Sequence, residues 1–439
     1  MRYYSLHDRS RPVSFAEAVR GGLARDGGLY MPGEIPRLTP DAIASLAGMA
    51  PAAIALAAGR ALLRSDIEET ALERIVTESI NFPIPLVRLD ERTFILELFH
   101  GPTLAFKDVG ARFLARVLAH IVRDERAPLT VLVATSGDTG GAVAQGFSGV
   151  DGVEVVVLYP SGNVSPIQES QFATLGGNVT ALEIAGSFDD CQSLVKQALS
   201  DREVAARRSL TSANSINVAR LLPQTFYYFI AHAALDRGEA LPVFSVPAGN
   251  LGNLTAGVMA RAMGLPVHKF IAASNINDVL PEYLRTGRLR TRPSIRTLSN
   301  AMDVGNPSNF ARLEALFGED PAAMRDVVRG SASTDAATME TIREVYDSFG
   351  YVLDPHSAVA YRAWREYRSG NPGAHPGIVL ATAHPAKFLE AYDGSVRAAI
   401  TMPERLAGRL GKRKLAIPMA ARYDDFKEFL RTTGKGGQR

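Results

Sequence analysis

From Thr93 onward, short apolar runs alternate with stretches of helical periodicity, and this alternation narrows the fold more than any other feature of the chain. Segments 94–99, 129–134, 153–158, 178–184, 242–246, 268–273 and 377–381 read as strands. Segments 109–123, 138–147, 165–175, 187–199, 216–235 and 250–263 read as helices, followed by 334–349, 355–367 and 385–391. Strands that alternate with helices are joined by crossovers and lie mainly parallel, with helices covering the sheet. The expected class is therefore α/β. In such folds ligands sit beyond the carboxyl ends of the strands, so each strand-to-helix turn is a candidate for chemistry.

Residues 1–92 carry a different, mostly helical pattern. Ser14 with Glu17 three residues on is a capping-box signature, Thr39-Pro40 opens a second helix, and 65–80 reads as a third. Pro83 and Pro85 close the unit, because two prolines so near each other cannot continue a helix. The expected division is a unit at 1–92, a core at 93–392 and a helical C-terminal appendage at 393–439, whose last residues, 434–439, read as a frayed basic tail. The net charge is +2 over 439 residues and no long block of like charge occurs, so nucleic acid and membrane surfaces have no electrostatic support as partners. No apolar run approaches the ~18 residues of a membrane span. A single cysteine, Cys191, and no apolar leader fit the cytoplasm. None of the histidines has a second His or Cys at metal-ligand spacing, so no metal site is expected.

Five stretches carry the chemistry. In the first, a strand breaks at Gly101-Pro102-Thr103, and Phe106-Lys107-Asp108 then opens a helix. A lysine beside apolar groups is partly desolvated, which frees its amine as a nucleophile; the alternative is a solvated lysine at a helix start. In the second, Thr135-Ser136-Gly137-Asp138-Thr139-Gly140 follows a buried strand, with small residues that let a ligand approach and Asp138 able to cap the helix instead. The third, Gly249-Asn250-Leu251-Gly252-Asn253, presents backbone amides at a helix start, a cradle suited to a phosphate without any lysine. In the fourth, a strand ends at Thr382 before His384-Pro385. In the fifth, Asn214, Ser215 and Asn217 precede Arg220, which lies about one helical turn from Ile216 and can reach back to an anion. Neither glycine turn has a GxGxxG or Walker pattern, which argues against a nucleotide.

A reactive lysine, an amide-rich phosphate cradle and a hydroxyl at a strand end together suit pyridoxal 5'-phosphate. With His100–Asp108, 135–140, Asp354-Pro355-His356-Ser357-Ala358 and 382–388, the chain resembles the threonine synthases, in their longer bacterial and fungal form, over nearly its whole length. The resemblance implies the tryptophan-synthase-β-like fold (fold type II of the pyridoxal phosphate enzymes), with two α/β subdomains and the cofactor in the cleft. It implies conversion of O-phospho-L-homoserine and water to L-threonine and inorganic phosphate. By position it makes Lys107 the Schiff-base lysine, with Phe106 beside it. Gly249, Asn250, Leu251, Gly252 and Asn253 would hold the cofactor phosphate, and Thr382 its pyridine nitrogen. Ser136, Thr139, Asn214, Ser215, Asn217 and Arg220 would bind the substrate, with Asn275 and Asp278 further out. Asp138 stands where related enzymes put an asparagine beside the cofactor's 3'-oxygen, so it is expected either protonated or turned away to cap its helix. Other enzymes of the fold (a serine or threonine dehydratase, a cysteine synthase or a phospho-amino-acid lyase), a catalytically dead binding protein and a nucleotide binder are the competing readings. Monomer and homodimer both stay open.

Overall fold

The computed structural model describes residues 1–125, 127–235, 240–373 and 375–433; the tail expected at 434–439 lies outside them. Its frame is two sheets. The larger has the order β11 (Val328–Ala332), β10 (Lys269–Ser274), β9 (Val243–Pro247), β12 (Gly377–Ala381), β4 (Thr93–Glu97), β3 (Leu86–Arg88). All its neighbours are parallel except β3, which runs antiparallel to β4. The smaller is wholly parallel, in the order β13 (Ile417–Ala420), β7 (Val179–Ala185), β6 (Val153–Pro160), β5 (Leu129–Ala134), β8 (Leu210–Ser212). A third, antiparallel pair, β1 (Tyr3–Ser5) with β2 (Tyr30–Pro32), belongs to the N-terminal region. β5 is buried along its full length, as an apolar run covered on both faces must be.

Local signals account for most of the elements. Ser14 and Glu17 form the expected capping box on helix Phe15–Gly21, and Thr39 caps helix Pro40–Ala44 through the amide of Ala42. Differences from expectation have physical causes. The helix expected over 216–235 is three pieces, Val218–Leu221, a 3-10 turn Leu222–Thr225 and Phe226–Ala233. Pro223 has no amide to donate, so the ladder tightens there instead of continuing. Segment 385–391 is likewise 3-10 rather than α-helical, kinked at Phe388. Helix Pro51–Leu63 was not expected at all, since its alanine-rich run lacks the polar stripe that marks an amphipathic helix. The C-terminal segment, expected to be helical, contributes β13 to the smaller sheet before its last helix, Tyr423–Thr432.

Helices of the N-terminal region share one apolar core with both sheets. Phe113 meets the edge of Phe226 with ring centroids 5.9 Å apart, and both rings are fully buried. Such burial stabilises by roughly 1.5–3 kcal/mol per ring. No helix among the described residues is long and apolar enough to cross a membrane.

The sheet order determines where the candidate turns meet. β9, β12 and β4 are neighbours, so the turns that follow them, with 249–253, Thr382 and Lys107, open side by side. β5 and β8 are neighbours in the other sheet, and their turns carry Ser136 to Thr139 and Asn214 to Arg220. The two groups of turns line one cleft.

Candidate active site

That cleft is a cavity of about 530 Å³. Phe106, Lys107, Ser136, Thr139, Asn214, Ser215, Arg220, Gly249, Asn250, Leu251, Gly252, Asn253 and Thr382 are all in its wall. An antiparallel bridge between Ala105 and Ala383 pins the turn before Lys107 to the turn after Thr382. Phe106 N donates to Thr382 O at 2.8 Å, and His384 N donates to Leu104 O at 3.0 Å. Leu104 takes the left-handed conformation, φ 58°, to make the turn. The amine of Lys107 makes no hydrogen bond among the described residues. Burial pushes it down to about 8; Asp138 opposes that shift, while Lys387 and Arg220 add to it. Next to it, the Asp108 carboxylate faces back, accepting from Thr103 N at 2.8 Å and Thr103 Oγ1 at 2.7 Å. Burial pushes Asp108 up to about 6 despite those bonds.

Across the cavity, Leu251 is also left-handed, φ 63°, which turns the chain into helix Gly252–Ala262. The amides of Gly249, Asn250, Leu251, Gly252 and Asn253 donate to no protein acceptor among the described residues. A Cβ on Gly249 would come within 2.9 Å of Ala301 O, so only glycine lets the two loops approach. Asn253 Oδ1 accepts from Tyr227 Oη at 2.7 Å and Tyr228 Oη at 2.8 Å, which leaves Asn253 Nδ2 buried and without a partner. Free amides at a helix start and an orphaned side-chain donor are the chemistry of an anion site. A phosphate group fits this donor set. Lys107 and the hydroxyl of Thr382, which has no protein partner among the described residues, complete the fit to a phosphorylated pyridine aldehyde.

On the opposite wall, Asn214 is clamped to the end of β5, accepting from Ala134 N at 3.1 Å and donating to Ala134 O at 2.8 Å. Arg220 is buried, with one guanidinium nitrogen on Ala213 O and Nε without a partner. Burial pushes it down to about 10, with Asp108 opposing. Three expected substrate residues lie behind the wall instead. Asn217 donates to Val19 O at 2.9 Å and Ser212 O at 3.0 Å and caps the next helix, the ordinary work of an asparagine at such a start. Asn275 holds Thr297, Ser299 and Asp303, at 2.8, 3.0 and 2.9 Å. Asp278 is taken up by Arg292.

Asp138 also differs from both expectations. It does not cap its helix, whose N-cap is Gly137. Burial alone would raise its carboxyl, but Lys387 at 2.6 Å, with Lys107 nearby and Gln168 Nε2 at 2.9 Å, holds it well below the usual range. It is ionised and paired. Lys387 and Arg312 are the residues that sequence reasoning passed over. Arg312 is fully buried and donates to Tyr30 O at 3.1 Å, Ser215 O at 3.0 Å, Ile216 O at 2.6 Å and Asn309 Oδ1 at 2.9 Å. Asn309 in turn donates to Asn250 O at 3.1 Å. Nothing in the local sequence marked it; Lys387 lay inside a recognised stretch but drew no role.

Comparison with known proteins agrees with this geometry. Residues 78–380 match the family of pyridoxal-phosphate dependent enzymes, 2–80 match the threonine synthase N terminus, and 357–430 match the threonine synthase C-terminal family. Threonine synthase of Serratia marcescens is 42% identical over 98% of this chain and 99% of its own. The chain belongs to the threonine synthase family. Among solved structures, threonine synthase from Escherichia coli superposes with a TM-score of 0.91 at 43% identity, covering 98% of this chain and 99% of that one. Threonine synthase from Brucella melitensis with PLP bound gives 0.90 at 38% identity, covering 99% and 100%. The family places the chain among the fold type II enzymes, with pyridoxal phosphate as cofactor.

Proposed function

We propose that this protein converts O-phospho-L-homoserine and water to L-threonine and inorganic phosphate. The observation that carries the proposal is the meeting, in one cleft, of a lysine amine without a partner among the described residues and two separate anion-binding walls: the free amides of 249–253 and the buried, cavity-lining guanidinium of Arg220. Two walls suit two phosphates, one on the cofactor and one on the substrate. A hydroxy amino acid without a phosphate would leave Arg220 buried and unanswered, a cost of several kcal/mol.

When bound, pyridoxal phosphate supplies an electron sink for charge developed at the substrate's Cα. The chain's own residues do the rest. Lys107 would anchor the cofactor and, as a free amine beside the substrate's Cα, would remove and later return the Cα proton. Burial pushes its amine down to about 8, so the free base is reached at lower pH than for an exposed lysine. Gly249, Asn250, Leu251, Gly252 and Asn253 would hold the cofactor phosphate, and Thr382 would offer its hydroxyl to the pyridine nitrogen. Arg220 and Ser215 grip the substrate phosphate, with Asn214 fixing that loop to β5 and Ser136 and Thr139 facing the amino-acid end. We place the protein in the cytoplasm, where Cys191, buried, stays a thiol, and divide it near residues 92 and 392.

The experiment is phosphate release from O-phospho-L-homoserine with threonine measured as co-product. Lys107→Ala is expected to abolish both turnover and the near-ultraviolet to visible absorbance of lysine-bound cofactor. Survival of that absorbance would overturn the assignment of Lys107, and phosphate release without threonine would overturn the reaction.

A further inference from the structure

Behind Lys107 lies a charged network that joins three turns. Lys387 is wholly buried in the turn after β12. Its carboxylate partner among the described residues is Asp138, in the turn after β5, at 2.6 Å; its other bond goes to Thr103 O, in the turn before Lys107, at 2.9 Å. Gln168 and Gln171, both on helix Pro166–Ala173, brace the two ends, reaching Asp138 at 2.9 Å and Thr103 O at 3.0 Å. Burying an ammonium and a carboxylate costs several kcal/mol each and their attraction returns that only with good geometry. Apolar side chains would fill the same space at no such cost, so the pair asks for a role.

Three charged groups act on the Lys107 amine: Asp138 on helix Asp138–Phe147, Lys387, and Arg220 on helix Val218–Leu221. Asp108 is turned back onto Thr103. Asp138 is thus the carboxylate acting on the amine, and it favours the protonated form. Without Lys387, Asp138 would be a buried anion still acted on by the charge of Lys107. The two would pair, and a paired ammonium is no nucleophile.

We infer that Lys387 is a positioning residue that holds Asp138 in a buried ion pair and so keeps Lys107 out of one, leaving its amine available. The inference rests on Lys107 being the reactive lysine of the proposed function, but its test needs neither cofactor nor turnover. Full-length protein stripped of cofactor is pulsed with acetic anhydride from pH 6 to 11, and acetylation of Lys107 is read by peptide mass spectrometry. The wild type should titrate near pH 8. Lys387→Met should raise that midpoint by about one to two pH units. Lys387→Arg should stay near wild type, and Lys387→Met with Asp138→Asn should return to wild type or below. A folded Lys387→Met protein with an unmoved midpoint, or a double variant that titrates like the single one, overturns the inference. If Lys387→Met does not fold, Lys387→Gln decides: a raised midpoint supports the inference, and an unchanged one sinks it. Failure here with normal threonine formation would remove the role of Lys387 and leave that of Lys107 standing.

Discussion

Arg220 and Arg312 are both buried guanidiniums on short helices near the same cleft, and they do opposite things. Arg312 directs its donors to three backbone carbonyls and one side-chain amide oxygen. Arg220 has one such bond, lines the cavity and leaves its buried Nε without a partner among the described residues. Burial depresses both, Arg312 to about 9 and Arg220 to about 10, where Asp108 partly offsets it. A guanidinium satisfied by backbone oxygens is a brace. One left incomplete beside a cavity is a receptor for an anion. Arg312 ties β2, the loop at Ser215 and, through Asn309, the loop at Asn250, so both anion walls are hung on one side chain.

The comparison can be broken by substitution. Arg312→Met should cost the most stability, about 3–5 kcal/mol in urea unfolding, because it strands three buried carbonyls. A loss below about 1 kcal/mol would mean Arg312 braces nothing. Asp108→Asn tests the acid near Arg220. Asp108 binds its proton more tightly in the folded state, at about 6 against 3.8, so its contribution is full below pH 3.8 and is lost as pH rises through 6. Between pH 7 and pH 4 the wild type should therefore gain about 2 kcal/mol relative to the variant. Parallel stability–pH curves would show that Asp108 is not perturbed. Arg220→Lys keeps charge but loses the planar fork. It should raise KM for the phosphorylated substrate roughly 10- to 100-fold, the value of one or two charge-assisted bonds, with little change in melting temperature. The reverse pattern, a lowered melting temperature at constant KM, would make Arg220 a second brace. The smallest effect is expected for Thr382→Asp, which trades a hydroxyl for a group that keeps a pyridine nitrogen protonated. Keto-acid side product should rise by at most about tenfold, and no rise would remove Thr382 from control of the side reaction.

The two arginines also mark what the sequence could disclose. Arg220 was legible because its partners are close in the chain: a polar cluster just before a helix start. The turns after β5, β9 and β12 were legible for the same reason, since glycine, serine and threonine at a strand end are a local pattern. Arg312 bonds to Tyr30, 282 positions away, and to Ser215, 97 positions away, and no local pattern encodes that. Asn217 failed in the other direction. A dense polar stretch offers capping and ligand binding in identical letters, and the choice depends on Val19 O, which arrives from another region. Asp138 was misread because its partner Lys387 lies far along the chain, where periodicity says nothing about ion pairs.

The bridge between Ala105 and Ala383 has one more consequence. Its two backbone bonds make the turns bearing Lys107 and Thr382 a single rigid rung. If the cleft breathes, the distance between these two side chains is the one that stays constant. The rung is thus the gauge of the cleft: a paired spin or fluorescence label across it should read the same spacing with and without substrate.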